Sequence, residues 1–504
     1  MSRVKSTHSM SYAAIAGVLS ACLGLASANA ATVDPSPEAL AGISLLHQGR
    51  FDAASTAFAA ISAGRPKDPE GPFFEAFVSW WRLLDRPKDI DSQKRFDDRL
   101  QESIARGEAL LDGPEAPRGR IFAGTALVLS AQSRAFAGSH FAAASAARRG
   151  YRHLEAVLAE NPGAADAGFA MGAYKYFAAR MPWLVRALGV FFRIPRGDVE
   201  EGLAALRDAE LNGKYFRVEA SLLLAHIYAD QEEDDLRIAL DHLRLARAIE
   251  PRSPLLAAVD GRLQFALGRL GAAEAASRES LEMSRAEPGV TPAVPALARV
   301  RLALALYYEY EPRASAAELR PLIEGGDDLP EGVAESVLSL SDRLRMDLAE
   351  PLLFGGSRSA EPPGRPETPV RLTAPAPAPT EIADGLARLR GGAAVDAIEL
   401  LSAAVNRDPG DPILRYHLAR AYQTAGRRAE AVAALTKSLE SPVKLPRVLQ
   451  GWAMIRLGSA LAGDARRPEA EEWFRKAAQI KGFVFRRAAE DRLRHDGNQL
   501  PPEG

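Results

Sequence analysis

Residues 412–442, PILRYHLARAYQTAGRRAEAVAALTKSLESP, carry the clearest fold signal in this chain. Small and aliphatic residues in this stretch repeat those found 34 residues earlier. The matching pairs are Gly392 with Gly426, Ala397 with Ala431, Leu401 with Leu435, and Ala404 with Ser438. A period of this length is typical of stacked helical hairpins, because each hairpin has an apolar face that only a neighbouring copy can bury. The sequence therefore predicts an all-α solenoid of antiparallel helix hairpins.

The segments on either side extend the same pattern. Residues 382–409 supply a preceding copy and residues 446–481 a following one, and the mixed apolar and charged residues of 483–495 are typical of a capping helix. Together the three copies resemble the tetratricopeptide repeat family, through Leu418, Tyr422, Gly426, Ala431 and Leu435 in the best copy. The resemblance implies a C-terminal array of three repeats and a capping helix over residues 381–496, with a tail at 497–504.

Residues 36–346 follow the pattern less strictly and predict a divergent array of similar repeats. The spacing of one repeat is kept from Gly49 to Pro66, and the spacing of another from Gly261 to Ala273. Seven prolines fall between Pro362 and Pro379, a composition that favours extended conformers over packed helix. We therefore predict a Pro/Ala-rich linker over residues 349–380 that joins two arrays, keeps them apart and leaves their relative orientation unspecified.

The N-terminus has the features of an export signal. Arg3 and Lys5 precede an apolar run from Tyr12 to Ala26, and Ala28-Asn29-Ala30 fits a cleavage site, which predicts a signal peptide over residues 1–30. The alternative is a lipoprotein, because Leu19-Ser20-Ala21-Cys22 resembles a lipobox. We expect a periplasmic or secreted protein in the first case, and a lipid-anchored protein of the outer membrane, acylated on Cys22, in the second.

Composition and motifs argue against several functions. The net charge of −2 becomes −4 without the first 30 residues, from 61 basic against 65 acidic residues, so nothing favours nucleic acid as a partner. Cys22 is the one cysteine, which excludes a disulfide framework. The eight histidines form no zinc-binding pair, and neither a nucleophile elbow nor a phosphate loop occurs. We therefore expect no enzyme activity, cofactor or metal.

The family resemblance implies which residues line a binding groove. In tetratricopeptide repeats the concave groove is formed by the first helix of each hairpin, and ligand contacts lie at fixed positions of that helix. Carried onto this chain, those positions point to a candidate set of mostly aromatic and arginine residues. The set is Arg262, Phe265, Tyr416, His417, Arg420, Gln423, Trp452 and Arg456. The alternative for each position is a solvated surface residue.

An unusual insertion at residues 178–197 is a second candidate. On a helical wheel Trp183, Leu184, Leu188 and Phe191 share one face, and Arg186 and Arg193 share the other. Phe192 lies between Phe191 and Arg193 in the sequence and belongs to the same candidate segment. Such a helix either packs over the repeat core, or contacts a membrane interface or a partner. Both readings stay open.

Taken together, these features predict an exported, non-enzymatic scaffold of the cell envelope. Its concave helical grooves would bind a protein or peptide partner. Envelope assembly, secretion and polysaccharide export are the processes that fit the compartment and the fold. The alternative is an extracytoplasmic protein that binds a small molecule or lipid.

Overall fold

A computed structural model describes residues 33–86, 89–180, 195–230, 235–309, 311–324, 380–445, 447–480 and 483–494, and single residues between 333 and 341. Within these ranges the chain forms α-helices and no strand, and successive helices pair as hairpins, so the predicted all-α repeat fold is confirmed. The helices are α1 Pro37–His47, α2 Phe51–Gly64, α3 Glu70–Asp85, α4 Ile90–Glu108, α5 Ala116–Phe136, α6 His140–Glu160, α7 Ala165–Ala179, α8 Val199–Asn212, α9 Arg217–Asp230, α10 Leu236–Ile249, α11 Pro254–Ala266, α12 Leu270–Ala286, α13 Ala293–Tyr308, α14 Pro312–Glu324, α15 Thr380–Arg390, α16 Ala394–Arg407, α17 Pro412–Thr424, α18 Arg428–Leu439, α19 Arg447–Gly463, α20 Arg467–Ala478 and α21 Phe483–Arg494.

One hairpin turn recurs from the first helices to the last. At Gly426, between α17 and α18, φ is 73°, a left-handed conformation that glycine adopts without steric cost. The Gly426 N–H donates to the Gln423 carbonyl at 3.0 Å, and the next N–H donates to the Tyr422 carbonyl at 2.8 Å, which satisfies the end of α17. The same positive φ occurs at Gly49, Gly138, Gly268 and Gly392. The N-terminal helices therefore share the turn of the regular repeats.

A buried serine closes two of the hairpins in the same way. The Ser438 hydroxyl of α18 donates to the Pro412 carbonyl at 2.6 Å, and the Ser280 hydroxyl of α12 donates to the Pro254 carbonyl at 2.7 Å. Both prolines stand in the first turn of a helix, where proline costs no hydrogen bond. Ser438 thus has a structural reason to replace the alanine of the pattern.

The described helices form two compact units. The first unit contains residues up to Leu40, Ala60–Phe73 and Asp97–Phe216, and the second contains Ala41–Ala59, Phe74–Phe96 and everything from Arg217 onward. Helices α1 to α4 have residues in both units. The division does not fall at the proline-rich segment, where the sequence placed the boundary.

In the first unit, an apolar core is accompanied by a buried polar cluster. Ile121, Leu154 and Met171 pack together from α5, α6 and α7. Glu70 is fully buried, and its carboxylate accepts hydrogen bonds from the Tyr215 hydroxyl at 2.8 Å and from the Ser36 hydroxyl at 2.9 Å. Arg118 approaches the same carboxylate at 3.2 Å, and Arg65 at 3.3 Å. Burial of this charge is therefore compensated by donors from four separate parts of the chain.

In the second unit, helices before and after the proline-rich segment share one core. Phe265, Leu270 and Ala305 lie in the same buried cluster as Tyr416 and Trp452. The expectation that the prolines keep the two arrays apart is therefore not met, because apolar faces on α11 to α13 and on α17 to α21 bury each other. The predicted linker itself lies outside the described residues, apart from the start of α15.

Candidate functional site: the inner face of the C-terminal repeats

The structure brings six of the predicted groove residues together. We call this surface the inner face, and define it by Tyr416, His417, Arg420 and Gln423 of α17 and Trp452 and Arg456 of α19. Tyr416 and His417 are adjacent, and the following members are spaced by three or four residues along each helix, so that the set lies on one side of the two helices. Every one of them is buried, from 1% exposed at Trp452 to 6% at Arg456. The inner face is therefore closed, and none of the six is the solvated surface residue of the alternative reading.

Helices α11 to α13 of the same chain cover the inner face. Gly268, at the turn between α11 and α12, has a φ of 74°, and a Cβ atom at this position would collide with the Trp452 ring. Phe265 is buried in the same core, and the Arg301 guanidinium lies 4.9 Å from the centre of its ring. Arg262, the remaining predicted residue, is only partly exposed. Phe265 thus belongs to the surface that fills the inner face rather than to a separate groove.

Ion pairs fix this contact at its edge. Arg420 Nη2 lies 2.6 Å from Glu309 Oε2, and both side chains are largely buried. Arg390 Nη2 lies 2.7 Å from Glu311 Oε1 in a more exposed position. Glu309 directly follows α13, and Glu311 directly precedes α14. Because a guanidinium can satisfy a carboxylate with several donors, Arg420 here neutralises a residue of its own chain.

Gln423 and Arg456 join neighbouring repeats. The Gln423 side-chain amide donates to the backbone carbonyl of Arg456 at 3.1 Å, and Arg456 Nη1 donates to Gln423 Oε1 at 3.1 Å. This reciprocal pair lies between α17 and α19, where the sequence predicted ligand contacts. Its hydrogen bonds lie within the C-terminal array.

His417 is held in its neutral form. Burial lowers its pKa well below the ordinary value, and the positive charges of Arg420, Arg456 and Arg390 lower it further. Its Nδ1 lies 3.4 Å from Arg420 Nη1. His417 is therefore neither a cation for an acidic ligand nor a proton donor at neutral pH.

One inward arginine escaped the sequence-based prediction. Arg420 and Arg456 are 36 residues apart, and Arg492 of the capping helix α21 follows after 36 more. Arg492 is buried, and it donates from Nε to the Ser459 hydroxyl at 3.2 Å and from Nη1 to the Ala488 carbonyl at 2.8 Å. The equal spacing was the available signal, but the family pattern ends before the capping helix.

Two further predictions concern residues that the structure does not describe. The candidate residues of the insertion lie outside the described residues, as does the predicted signal peptide. These residues are Trp183, Leu184, Arg186, Leu188, Phe191, Phe192 and Arg193. Among the residues that the structure describes, no group of three or more His, Cys, Asp or Glu side chains is placed to hold a metal ion. In the same part of the chain, every helix is too short or too polar to cross a bilayer.

Comparison with known proteins supports the repeat family. A family model described as "Tetratricopeptide repeat" matches residues 388–450, so this segment consists of tetratricopeptide repeats, as predicted. No curated protein sequence matches the chain. Tetratricopeptide repeats are typical of scaffolds for protein–protein interaction, so the fold of this segment suggests that class of role.

Solved structures of such proteins resemble the chain only weakly. The TPR domain of P58(IPK) is 13% identical, with 91% of this chain and 96% of that chain covered and a TM-score of 0.24. Yeast Tom70 is 12% identical, with coverage of 90% and 96% and a TM-score of 0.25. The human IFIT1 dimer with m7Gppp-AAAA is 13% identical, with coverage of 93% and 83% and a TM-score of 0.26. The fold assignment rests on the helices and the family match.

Proposed function

We propose that the protein is a non-enzymatic scaffold of the cell envelope that binds a protein partner through surfaces outside the inner face. The observation that carries the proposal is the tetratricopeptide segment at 388–450, stacked within a longer helical array. Preformed helical arrays limit the ordering cost of binding, which suits them to protein partners.

The closed inner face argues for a partner site elsewhere. Opening it would return Trp452, Phe265 and Tyr416 to water, at about 1.5–3 kcal/mol for each large side chain. It would also separate the largely buried Arg420 and Glu309, which is costly for both charges. A partner that bound to the inner face would have to offset the free energy of exposing these side chains and separating this ion pair. The inner face therefore acts as internal structure in our proposal.

An exposed apolar stripe is the first surface to test. Ile238, Leu245 and Ile249 lie on one face of α10, each between 37% and 42% exposed. Exposed apolar side chains in a row on one helix are typical of interaction surfaces, whereas single ones are ordinary. The stripe lies in the second unit, away from the six inner-face residues in sequence.

Site-specific crosslinking in the native envelope tests the proposal. We would place a photo-crosslinking amino acid at Leu245, at the buried Gln423, and at the exposed Lys437 of α18 as a control. A protein crosslinked from Leu245 but not from Gln423 is the expected result. Crosslinks from Gln423 alone would show that the inner face opens to the partner, and the absence of protein crosslinks from every surface position would contradict the scaffold.

Export rests on the N-terminal sequence. We propose cleavage after Ala30, supported by the basic start, the apolar run and the Ala-Asn-Ala motif. Mass analysis of the mature N-terminus distinguishes this product from a chain acylated at Cys22. An uncleaved N-terminus on the cellular protein would contradict export by either route.

A further inference from the structure

The hairpin of α5 and α6, which lies entirely in the first unit, ends in exposed aromatic residues. Phe136 is the last residue of α5, and Phe141 is the second residue of α6. Their side chains are 78% and 73% exposed, and they are the two aromatic members among the exposed large apolar side chains of the described ranges. Every residue from 136 to 141 is exposed. We call residues 136–141 the aromatic tip.

The hairpin turn does not require these rings. Gly138 has a φ of 74° and stands in the same kind of turn as Gly426, where φ is 73°. At Gly426, the two positions that match the phenylalanines hold Thr424 and Ala429. A turn of this geometry therefore forms with small or polar residues. Because large apolar side chains are unfavourable in water, two of them at one exposed turn indicate a contact surface.

The apolar cluster that α5 and α6 share with α7 does not reach the aromatic tip. Its last member on α5 is Val128, and its first member on α6 is Ala147. Phe136 is eight residues beyond Val128, and Phe141 is six residues before Ala147. At 1.5 Å per residue, the tip lies about 9–12 Å beyond this cluster along the hairpin. The two rings therefore project past the core that joins these helices to α7.

The hairpin carries positive charge and no acidic residue. No Asp or Glu occurs between Glu115 and Glu155, whereas this stretch contains six arginines and two histidines. Arg134 lies two residues before Phe136 and is partly exposed. The arginines are divided between α5 and α6, so both helices contribute positive charge.

Two of these arginines extend from the aromatic tip along the exposed side of α6. Arg148 and Arg152 follow Phe141 by 7 and 11 residues, so that all three lie on one side of the helix, and all three are exposed. Arg149 differs, because it pairs with Glu108 of α4 at 2.6 Å. The aromatic tip is thus followed along α6 by an exposed cationic surface.

The backbone of the tip is already hydrogen-bonded within the hairpin. Each backbone N–H from Ala137 to His140 donates to a backbone carbonyl of the hairpin, at 2.8–3.1 Å. An unpaired N–H is costly to remove from water, and this cost excludes most irregular backbone from lipid. These four N–H groups can therefore leave water without losing their partners.

We propose that the aromatic tip and the arginines behind it bind the surface of an anionic phospholipid bilayer. The phenylalanine rings enter the boundary between headgroups and acyl chains, where burial of apolar surface is favourable, and the arginines attract the lipid phosphates. A projecting tip with charge spread along two helices fits a flat anionic surface better than an acidic pocket in one protein. The contact is peripheral, and it attaches the proposed scaffold to a membrane independently of its protein partner.

The spacing along the hairpin agrees with this orientation. With the tip in the bilayer surface, Arg134 stands about 3 Å from Phe136 along α5, at the level of the lipid headgroups. Arg148 and Arg152 stand about 10 and 16 Å from Phe141 along α6. The long side chain of Arg148 extends toward the headgroups, and Arg152 adds a longer-range attraction that salt screens.

A fluorescent label at the tip tests the proposal. We would attach an environment-sensitive dye to Ser139→Cys in the full chain with Cys22→Ser, and add vesicles of phosphatidylcholine with or without an equal amount of phosphatidylglycerol. With the anionic vesicles, the dye emission is expected to shift to the blue, and to shift less as salt is added. A dye on Lys437→Cys, at an exposed residue of α18, is the control and should not shift.

Two double variants separate the apolar and the charged contributions. Cosedimentation with the anionic vesicles measures their binding. Phe136→Ser with Phe141→Ser is expected to weaken binding roughly a hundredfold, about tenfold for each ring that no longer enters the boundary. Arg134→Gln with Arg148→Gln is expected to weaken binding roughly tenfold at low salt. Because these four side chains are exposed or partly exposed, the thermal unfolding midpoint should stay at the wild-type value.

A second turn supplies the matched control. Val395 is 75% exposed and lies three residues after Gly392, as Phe141 lies three residues after Gly138. Val395→Ser should therefore bind vesicles as the wild type does. No shift of the tip label with anionic vesicles would overturn the proposal, as would equal shifts with vesicles lacking phosphatidylglycerol. Wild-type binding by the double phenylalanine variant would also overturn it, and crosslinking of the tip to an envelope protein would then assign the tip to a protein partner.

Discussion

The C-terminal repeats and the first unit solve the same packing problem with different chemistry. From 380 to 494, small residues at repeated positions let helices approach, and apolar side chains fill the space between them. In the first unit, a fully buried carboxylate is surrounded by donors that are distant in the sequence. In a regular repeat the contacts follow from local spacing and can be predicted from the sequence. In the divergent first unit they depend on polar groups that meet only after folding.

The largest expected effect on stability comes from removing the buried carboxylate of the first unit. Glu70→Ala removes the buried carboxylate that accepts from Tyr215 and Ser36 and pairs with Arg118, which keeps Asp68 as its other partner. Because several charge-assisted contacts are lost at once, the free energy of unfolding should fall by about 3–5 kcal/mol. Urea denaturation measures this. The control is Asp52→Ala, which removes an ion pair with Arg82 from a side chain 95% exposed and should leave stability unchanged. Equal effects of the two substitutions would remove the distinction between the regions.

The contact between the middle helices and the inner face is tested by a glycine pair. Gly268→Ala adds a Cβ that meets the Trp452 ring and also strains a positive φ, so we expect a loss of about 2–4 kcal/mol. Gly426→Ala strains the same φ but meets nothing within 4 Å, and should cost about 1–2 kcal/mol. Thermal and urea unfolding of both variants gives the difference. Identical losses would mean that Trp452 does not lie against Gly268.

A buried histidine makes the second unit sensitive to alkaline pH. His47 Nε2 lies 2.8 Å from Glu219 Oε1, and Nδ1 lies 3.7 Å from Glu250 Oε1. Burial by itself lowers the His47 pKa, but the two carboxylates outweigh it and raise the pKa to about 9. The folded state therefore holds a proton that the unfolded chain releases near pH 6.5. The stabilisation is complete below pH 6.5 and is lost as pH rises through about 9.

Denaturant unfolding between pH 6 and pH 10 checks this linkage. We expect the wild type to lose about 2–3 kcal/mol across the interval from this group. His47→Gln should be less stable at pH 6 and should lack this part of the pH dependence. A variant that keeps the full slope would show that His47 is not the titrating group.

The smallest effect lies within the regular repeats. Ser438→Ala restores the residue usual in the family but removes the hydrogen bond to the Pro412 carbonyl, so we expect a loss of about 1 kcal/mol. Lys437→Ala, one residue away and exposed, should stay within about 0.5 kcal/mol of the wild type. If Ser438→Ala proves stabilising, the packing of alanine contributes more to stability here than the hydrogen bond of the serine hydroxyl.

Much of the fold could be predicted from the sequence because its signals are local. A glycine turn between two helices and an alanine where the helices touch depend on neighbours within one repeat, and Gly426 and Ala431 follow that rule. The positions of the inner-face residues on α17 and α19 followed from the same register. Their burial could not be predicted, because it depends on α11 to α13, more than a hundred residues earlier in the chain.

The charged clusters were missed for the same reason. Ser36, Glu70, Arg118 and Tyr215 show no spacing rule, and they meet only through tertiary packing. Arg492 had a signal in its spacing from Arg456, but the same spacing also fits a solvated capping helix. Whether an arginine is solvated or buried depends on which surface packs against it.

Closure of the inner face by the chain's own helices is tested most directly by cysteine reactivity. In a Cys22→Ser background, single cysteines would replace Gln423 on the inner face and Lys437 on the outer surface, and their rates of thiol alkylation would be compared in native buffer and in urea. We predict that the Gln423→Cys variant reacts roughly a hundredfold more slowly than Lys437→Cys in native buffer, because a buried thiol reacts only during local opening. In urea the two variants should react equally fast. Equal native rates would show an open groove and contradict the burial of Gln423 by α11 to α13.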